Sequence, residues 1–369
     1  MPNLFWNLVA FLVGILIVAA TLNSAIQTVV VPRNTNTWLT RLVFATTWAL
    51  FYPRVRLARS YEGRDRALAS FAPIGMLMLP LIWFCLILAG YTSMFWSLGI
   101  RPWQEAFFVS SSSLVTLGFA YEKTIPIMVL IFSEATLGLA LMALLIAYLP
   151  TLYAAFSQRE AVVTLLEAYA GAPPSPVELI ARVHRLNMFG RLSDQWSTWE
   201  MWFAQLEESH SSYAALVFFR SPQPNRSWIT TAGVILDAAA LSLSCIDAPR
   251  DAQAALCLRA GFLALRRIAD FFEVPYDPDP RPGDPISISQ TEFNLAYDEL
   301  IANGVPVKSD RQQAWVDYAG WRVNYDTVLV TLAAMTMAPY AQWSSDRSIR
   351  SLRPRYLHPG FSWWRKKTT

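Results

Sequence analysis

Apolar residues are bunched along this chain rather than spread evenly. Residues 1–32 carry no charged side chain, residues 67–100 carry none, and residues 124–157 carry one, Glu134. A helix needs about 20 apolar residues to cross the hydrocarbon core of a bilayer, so each window predicts a membrane span. The first runs from Leu4 to about Val31, where Pro32 closes it. It has no basic leader and is longer than a signal-peptide core, so it reads as a retained span. Trp38–Tyr52 is shorter and contains Arg41. It predicts either a second span, with Arg41 snorkelling to the interface, or a helix lying in the interface.

The stretch between the last two windows has a different pattern. Residues 102–115 open with Pro102-Trp103-Gln104-Glu105, a proline at the first helical position and an acid in the first turn. This predicts a helix too short to span. It passes through four serines, Ser110–Ser113, into an irregular segment over residues 116–123. Lipid tolerates non-helical backbone only where it is buried in protein or lines a water-filled path. The order span, half-helix, irregular segment, span therefore predicts a re-entrant pore loop.

Beyond Ser157 the pattern becomes that of amphipathic helices. Leu258, Phe262, Leu265 and Phe272 recur at three-, four- and seven-residue spacings. Linkers rich in proline separate the helices at residues 171–176, 221–225 and 277–285. Strand alternation is scarce, so an all-α domain is expected. Trp228–Ile246 is an apolar run whose one charge is Asp237. It predicts the central helix of a bundle rather than another span, because an unpaired acid in lipid is costly. The chain thus divides into N-terminal membrane helices and a basic loop (1–66), a pore domain (67–156), a helical domain (157–345) and a basic, aromatic tail (346–369).

Composition supports the membrane reading, at 54% hydrophobic and 15% charged residues. Soluble domains carry about 25% charge. The net charge of +3 matters less than its placement. Residues 53–66 hold Arg54, Arg56, Arg59, Arg64 and Arg66 against Glu62 and Asp65. A short basic loop beside spans reads as cytoplasmic. The third apolar run then crosses outward, the last crosses back, and the helical domain is cytoplasmic. With two spans before the loop the N-terminus is cytoplasmic too, in a multi-pass protein of the cell membrane.

Few residues suggest other chemistry. Cys85, Cys245 and Cys257 form no CxxC, and His184, His210 and His358 are far apart, so no metal site is expected beyond a permeant ion. There is no GxGxxG and no P-loop. Ser110–Ser113 have no histidine nearby in sequence, so an enzyme is not expected. Asp277, Asp279 and Asp284 read as a stiff surface loop rather than a calcium site. Trp363-Trp364-Arg365-Lys366-Lys367 reads either as a dock for anionic membrane lipids or as a disordered tail. No nucleic-acid partner and no organic cofactor are expected.

Thr116-Leu117-Gly118-Phe119-Ala120 resembles the Thr-Val-Gly-Tyr-Gly filter of the potassium-channel family, two-transmembrane pore-loop type. The resemblance covers about residues 67–155. It implies a pore-loop ion-channel fold with outer helix 67–100, pore helix 102–115, filter 116–120 and inner helix 124–155. It implies a homotetramer, because such a filter needs four loops around an axis. Backbone carbonyls of Thr116, Leu117, Gly118, Phe119 and Ala120 would bind K+. Phe107 and Phe108 would form an aromatic cuff, and Ser112 and Glu134 would support the filter, with Glu134 bonded to pore-helix hydroxyls. Gly138 would be a gating hinge or a site of close helix packing. Ala120 replaces the second glycine, and alanine at positive φ is strained by roughly 1–2 kcal/mol. Tyr121 follows where the family has an acid, with Glu122 one place later.

The function expected is a tetrameric, potassium-channel-like cation channel conducting K+ passively. One alternative is a weakly selective channel that also passes Na+. Another is a membrane-tethered sensor or scaffold with a degenerate pore loop. In each, the helical domain is available to an unidentified ligand or protein partner.

Overall fold

The computed structural model describes residues 2–29, 31, 38–58, 60–120 and 124–347. Arg59, Tyr121, Glu122 and the tail beyond Arg347 lie outside the described residues. Among those described the protein is all-α, and the one strand-like pairing is an isolated bridge between Ile246 and Val307. The chain folds as two compact units. One comprises residues 1–50 and 71–154, the other residues 51–70 and everything from Ala155 onward.

The first unit is built on α1 (Pro2–Val29), the start of α2 (Trp38–Leu57), then, past the short α3 (Tyr61–Ala69), α4 (Phe71–Ser97), α5 (Trp103–Leu114) and the first part of α6 (Ile125–Ala170). Leu4–Val29, Tyr61–Ser97 and Ile125–Ala170 are long and apolar enough to cross a membrane. Within the protein only 17%, 44% and 17% of their most apolar stretches are buried. Apolar surface left open on this scale needs lipid or other apolar neighbours, and the chain is a multi-pass membrane protein. Pro80 and Pro150 sit inside α4 and α6 without ending them.

Small residues bring α1 and α4 together. A Cβ on Gly14 would lie 2.5 Å from the Gly90 carbonyl oxygen, and one on Gly90 would lie 3.0 Å from that of Gly14. Such glycine contacts let backbones approach where lipid supplies no hydrophobic drive between helices. Ser93 Oγ donates to the Ala10 carbonyl at 2.8 Å, and Trp83 Nε1 donates to Ser24 Oγ at 3.3 Å. The half-length segment after Pro102 is the twelve-residue helix α5, and Gly99 breaks the chain before it at φ 107°.

The outer and inner apolar runs differ from their expected bounds. Residues 67–100 are divided at Ser70 between α3 and α4. The inner run does not stop near residue 155 but continues as helix to Ala170. Gln158-Arg159-Glu160 end the apolar pattern without ending the helix, since straight-chain residues and alanine sustain helical backbone in either solvent.

In the second unit, α3 lies against the helical domain. Arg220 pairs with Asp65 at 3.3 Å, donates to Tyr61 Oη at 3.3 Å, and reaches the Met337 carbonyl at 3.0 Å. The end of the basic segment is therefore tied to the helical domain. The domain comprises α7 (Pro176–Arg185), α8 (Leu192–Ser212), α9 (Trp228–Cys245), α10 (Ala252–Phe271), α11 (Gln290–Ala302), α12 (Arg311–Arg322) and α13 (Asp326–Met335). Helix α9 is also long and apolar enough to span, but 89% of its most apolar stretch is buried by the protein itself. It is the central helix of the bundle. Asp237, at its middle, is not left unpaired: both its oxygens accept from Arg322, at 2.7 and 2.8 Å.

A second buried polar cluster surrounds His210. Its Nδ1 donates to the Leu206 carbonyl at 3.0 Å, and its Nε2 accepts from Arg159 at 3.3 Å. Burial, with the Arg159 guanidinium alongside, holds His210 well below the ordinary imidazole range, so the folded domain keeps it neutral. The unfolded chain takes up that proton as pH falls below about 6.5, while the fold does not. Stability therefore declines on acidification below about 6.5, by up to about 1.4 kcal/mol per pH unit. Hydrogen exchange of α8 amides in the full-length protein is expected to speed up between pH 6.5 and 5. His210→Gln is expected to flatten that dependence.

Candidate functional site

The segment that the sequence singles out lies between α5 and α6, and Ser112 organises it. The Ser112 carbonyl accepts from the backbone N–H of Leu117 at 2.8 Å and of Gly118 at 3.4 Å. Its hydroxyl oxygen accepts from Phe119 N–H at 3.1 Å and Ala120 N–H at 3.2 Å. Four consecutive amides thus converge on one residue. The backbone angles explain how. Thr116 (φ 57°) and Gly118 (φ 70°) are left-handed, while Leu117 and Phe119 between and after them are not. Alternation of right- and left-handed residues turns successive N–H groups to one side. Among the described residues, no hydrogen bond ends on a carbonyl oxygen of Thr116, Leu117, Gly118 or Phe119.

Gly118 is where the left-handed angle costs nothing, and no heavy atom lies within 4 Å of where its Cβ would be. Thr116 is β-branched, and such a residue at positive φ is an outlier that its surroundings must hold in place. Its N–H donates to the Ser113 carbonyl at 2.9 Å, which pins it to the end of α5. The strain expected at Ala120 is absent. Ala120 does not adopt positive φ, because its N–H follows that of Phe119 onto the Ser112 hydroxyl.

Phe119 packs on Phe108 with ring centroids 4.7 Å apart. Phe107, Phe108, Leu117 and Phe119 are each about half exposed within the single chain. Glu134 is fully buried and accepts from Ser110 Oγ at 2.5 Å, while its Oε2 has no partner. Ser113 Oγ donates to the Ile131 carbonyl at 2.7 Å. The four serines therefore divide their work by helical face. Ser110 and Ser113, three apart, face α6, and Ser112 faces the loop.

Gly138 lies where α6 passes the end of α5. A Cβ there would overlap the Leu114 carbonyl oxygen and lie 3.1 Å from the Leu114 carbonyl carbon. Helix α6 runs through Gly138 unbroken, so this glycine serves close packing in the structure. Two further ties were not evident from sequence. Tyr91 Oη and Ser133 Oγ are 2.9 Å apart, joining α4 to α6, and the Leu114 carbonyl is the partner of Gly138. Neither residue pair has a local spacing that marks it.

Among the described residues, no group of three or more His, Cys, Asp or Glu side chains is placed to hold a metal ion. No known protein family matches this chain, and neither does any curated protein or solved structure.

Proposed function

We propose that the chain is the subunit of a tetrameric, potassium-channel-like cation channel of the cell membrane, passing K+ down its electrochemical gradient. The observation that carries this reading is the gathering of the Leu117–Ala120 amides onto Ser112. With the N–H groups directed to one side, the carbonyls of Thr116–Phe119 are free to replace water around a monovalent cation. The segment also stands between a half-length helix and a long apolar one. That position gives non-helical backbone a reason to exist at membrane depth.

Four copies of the segment around an axis would complete the coordination, with the first part of α6 lining the inner cavity. The half-exposed Phe107, Phe108 and Phe119 then meet neighbouring copies. Both termini are cytoplasmic in this reading. Transport is passive and no residue acts as a catalyst.

Ala120 favours a second version of the same pore. Its backbone departs from the left-handed geometry that a glycine would adopt, so the outermost ion site is altered and Na+ passes as well. Reconstitution in planar bilayers under opposed K+ and Na+ gradients tests both. A reversal potential near the K+ equilibrium value supports the selective channel. A reversal potential at zero replaces it with the weakly selective one. No current from purified oligomers overturns both and favours a membrane-tethered sensor or scaffold.

A further inference from the structure

The contacts of α1 fix its direction relative to α4. Asn7 Oδ1 accepts from Arg101, just past the end of α4, at 2.8 Å. Ser93 donates to the Ala10 carbonyl, Gly90 abuts Gly14, and Trp83 donates to Ser24. Positions rise along α1 from 7 to 24 while their partners fall from 101 to 83. The two helices are therefore antiparallel, with the start of α1 beside the end of α4.

The start of α2 is fixed in the same way. Thr40 Oγ1 lies 3.2 Å from Thr28 Oγ1, in the last turn of α1. Farther on, a Cβ on Gly75 would lie 2.9 Å from the Phe44 ring, and the rings of Trp48 and Phe71 are 5.3 Å apart. From Thr40 to Trp48, α2 thus passes from the end of α1 to the first residue of α4. A helix crossing the bilayer here would carry one of these contacts to the far end of α4, and none goes there.

The chain itself says which face this is. Arg54 and Arg56 close α2, and Arg64 and Arg66 stand within two turns before Phe71. Short basic segments beside spans are cytoplasmic. Large aromatic rings gather at membrane–water interfaces, and they sort accordingly. Phe5, Trp6 and Trp103 are exposed at the starts of α1 and α5, and Trp38 is exposed at the start of α2.

We infer that α1 crosses the membrane once, from the outer to the cytoplasmic face. Helix α2 does not cross, and its exposed Trp38, Leu42 and Leu50 meet lipid of the cytoplasmic leaflet. At the outer end Asn7 holds Arg101 over the Trp96 ring, at 4.4 Å, in the link that leads into α5. Helix α1 thereby positions the approach to the candidate site. The inference rests on the multi-pass fold and not on ion conduction. A cytoplasmic start for α1 requires α2 to cross, and the contacts of α2 replace that premise.

Sealed right-side-out vesicles containing the full-length protein test it. A protease-cleavable epitope tag is placed ahead of Pro2, without lysine or arginine so that it does not bias insertion. The basic segment is read through Arg56→Cys, at an exposed position, with a membrane-impermeant maleimide. Cys85→Ser removes the one exposed native thiol, and Cys245 and Cys257 are buried. Added protease is expected to remove nearly all of the tag from sealed vesicles, while position 56 is labelled only after detergent. Opposite faces require an odd number of crossings between them, which α1 alone supplies. Tag and position 56 on the same face, whichever face that is, overturns the inference. No current is read, so failure here leaves the proposed channel standing, and absence of conduction leaves the inference standing.

Discussion

Replacing Arg322 with alanine is expected to destabilise the helical domain by about 3–5 kcal/mol, the cost of leaving a buried charge without its partner. Every nitrogen of this guanidinium is engaged. Nε donates to Asp326 at 2.7 Å, NH1 to both oxygens of Asp237, and NH2 to the Trp343 carbonyl at 2.5 Å. Tyr318 and Tyr325 also donate to Asp237, at 3.1 and 2.8 Å. Ser287 braces Asp326 with its N–H and its hydroxyl, at 2.8 and 2.6 Å. Arg322 is fully buried and Asp237 is 1% exposed, so water cannot substitute for the lost cation.

The melting temperature of the domain, followed by tryptophan fluorescence in the full-length protein, should fall by on the order of 10 °C. Arg322→Lys should recover only part of it, because an ammonium cannot present the planar fork that meets both carboxylates. The pair Arg322→Met with Asp237→Leu separates burial from pairing. If it restores most of the stability, the ion pair secures the arrangement of α9 against α12 rather than adding net free energy. A melting temperature unchanged in Arg322→Ala would mean that the network does not hold the core together.

This network marks a limit of what the sequence discloses. Asp237 in an apolar run signals a buried acid needing a partner, and that much was legible. Its partner lies 85 residues away, and nothing local distinguishes Arg322 from other arginines. The membrane helices were legible for the opposite reason. Their signal is compositional and local, since lipid demands a long uncharged run whatever the neighbours are. Boundaries were less so. Arg54 and Arg56 fall inside α2 despite Pro53, and α6 carries past its last apolar turn. Change of solvent and end of helix are separate events, and the polar pattern reports only the first. A cleft in the helical domain was illegible altogether, because its walls come from segments as far apart as Phe189 and Asn324.

At the candidate site the residue types were legible but their division of labour was not. The sequence implied pore-helix hydroxyls as partners for Glu134 and Ser112 as a support of the filter segment. In the structure Ser110 donates to the carboxylate, the Ser113 hydroxyl also bears on it, and Ser112 takes the loop amides. Spacing along a helix contains this information, since residues three apart share a face and the residue between them turns away. What spacing could not disclose is that one serine would accept four amides. That depends on left-handed angles at Thr116 and Gly118, which are set by the end of α5.

Gly138→Ala is expected to remove conduction through this site. The added methyl meets backbone, the carbonyl of Leu114, so no side-chain rotation relieves the overlap. Either α6 or the end of α5 must move, and overpacking of this kind costs about 1–3 kcal/mol. Two hydrogen bonds, Ser110 to Glu134 and Ser113 to Ile131, hold α5 on α6 within two turns of the overlap. The displacement is therefore directed to the end of α5, and Thr116 is two residues beyond Leu114. A shift there breaks the hydrogen bonds of Ser112 to Leu117–Ala120, and with them the arrangement on which the proposed ion path depends. The alternative role for Gly138, a hinge, makes a different prediction. Alanine at a hinge stiffens the helix and changes how often the pore opens, while each opening keeps its conductance and selectivity. Single-channel recording separates the two. Openings of normal size with altered frequency in Gly138→Ala would establish the hinge and remove the packing role. Loss of openings, or openings with changed ion preference and the helical domain still folded, would place this glycine under the site as its support.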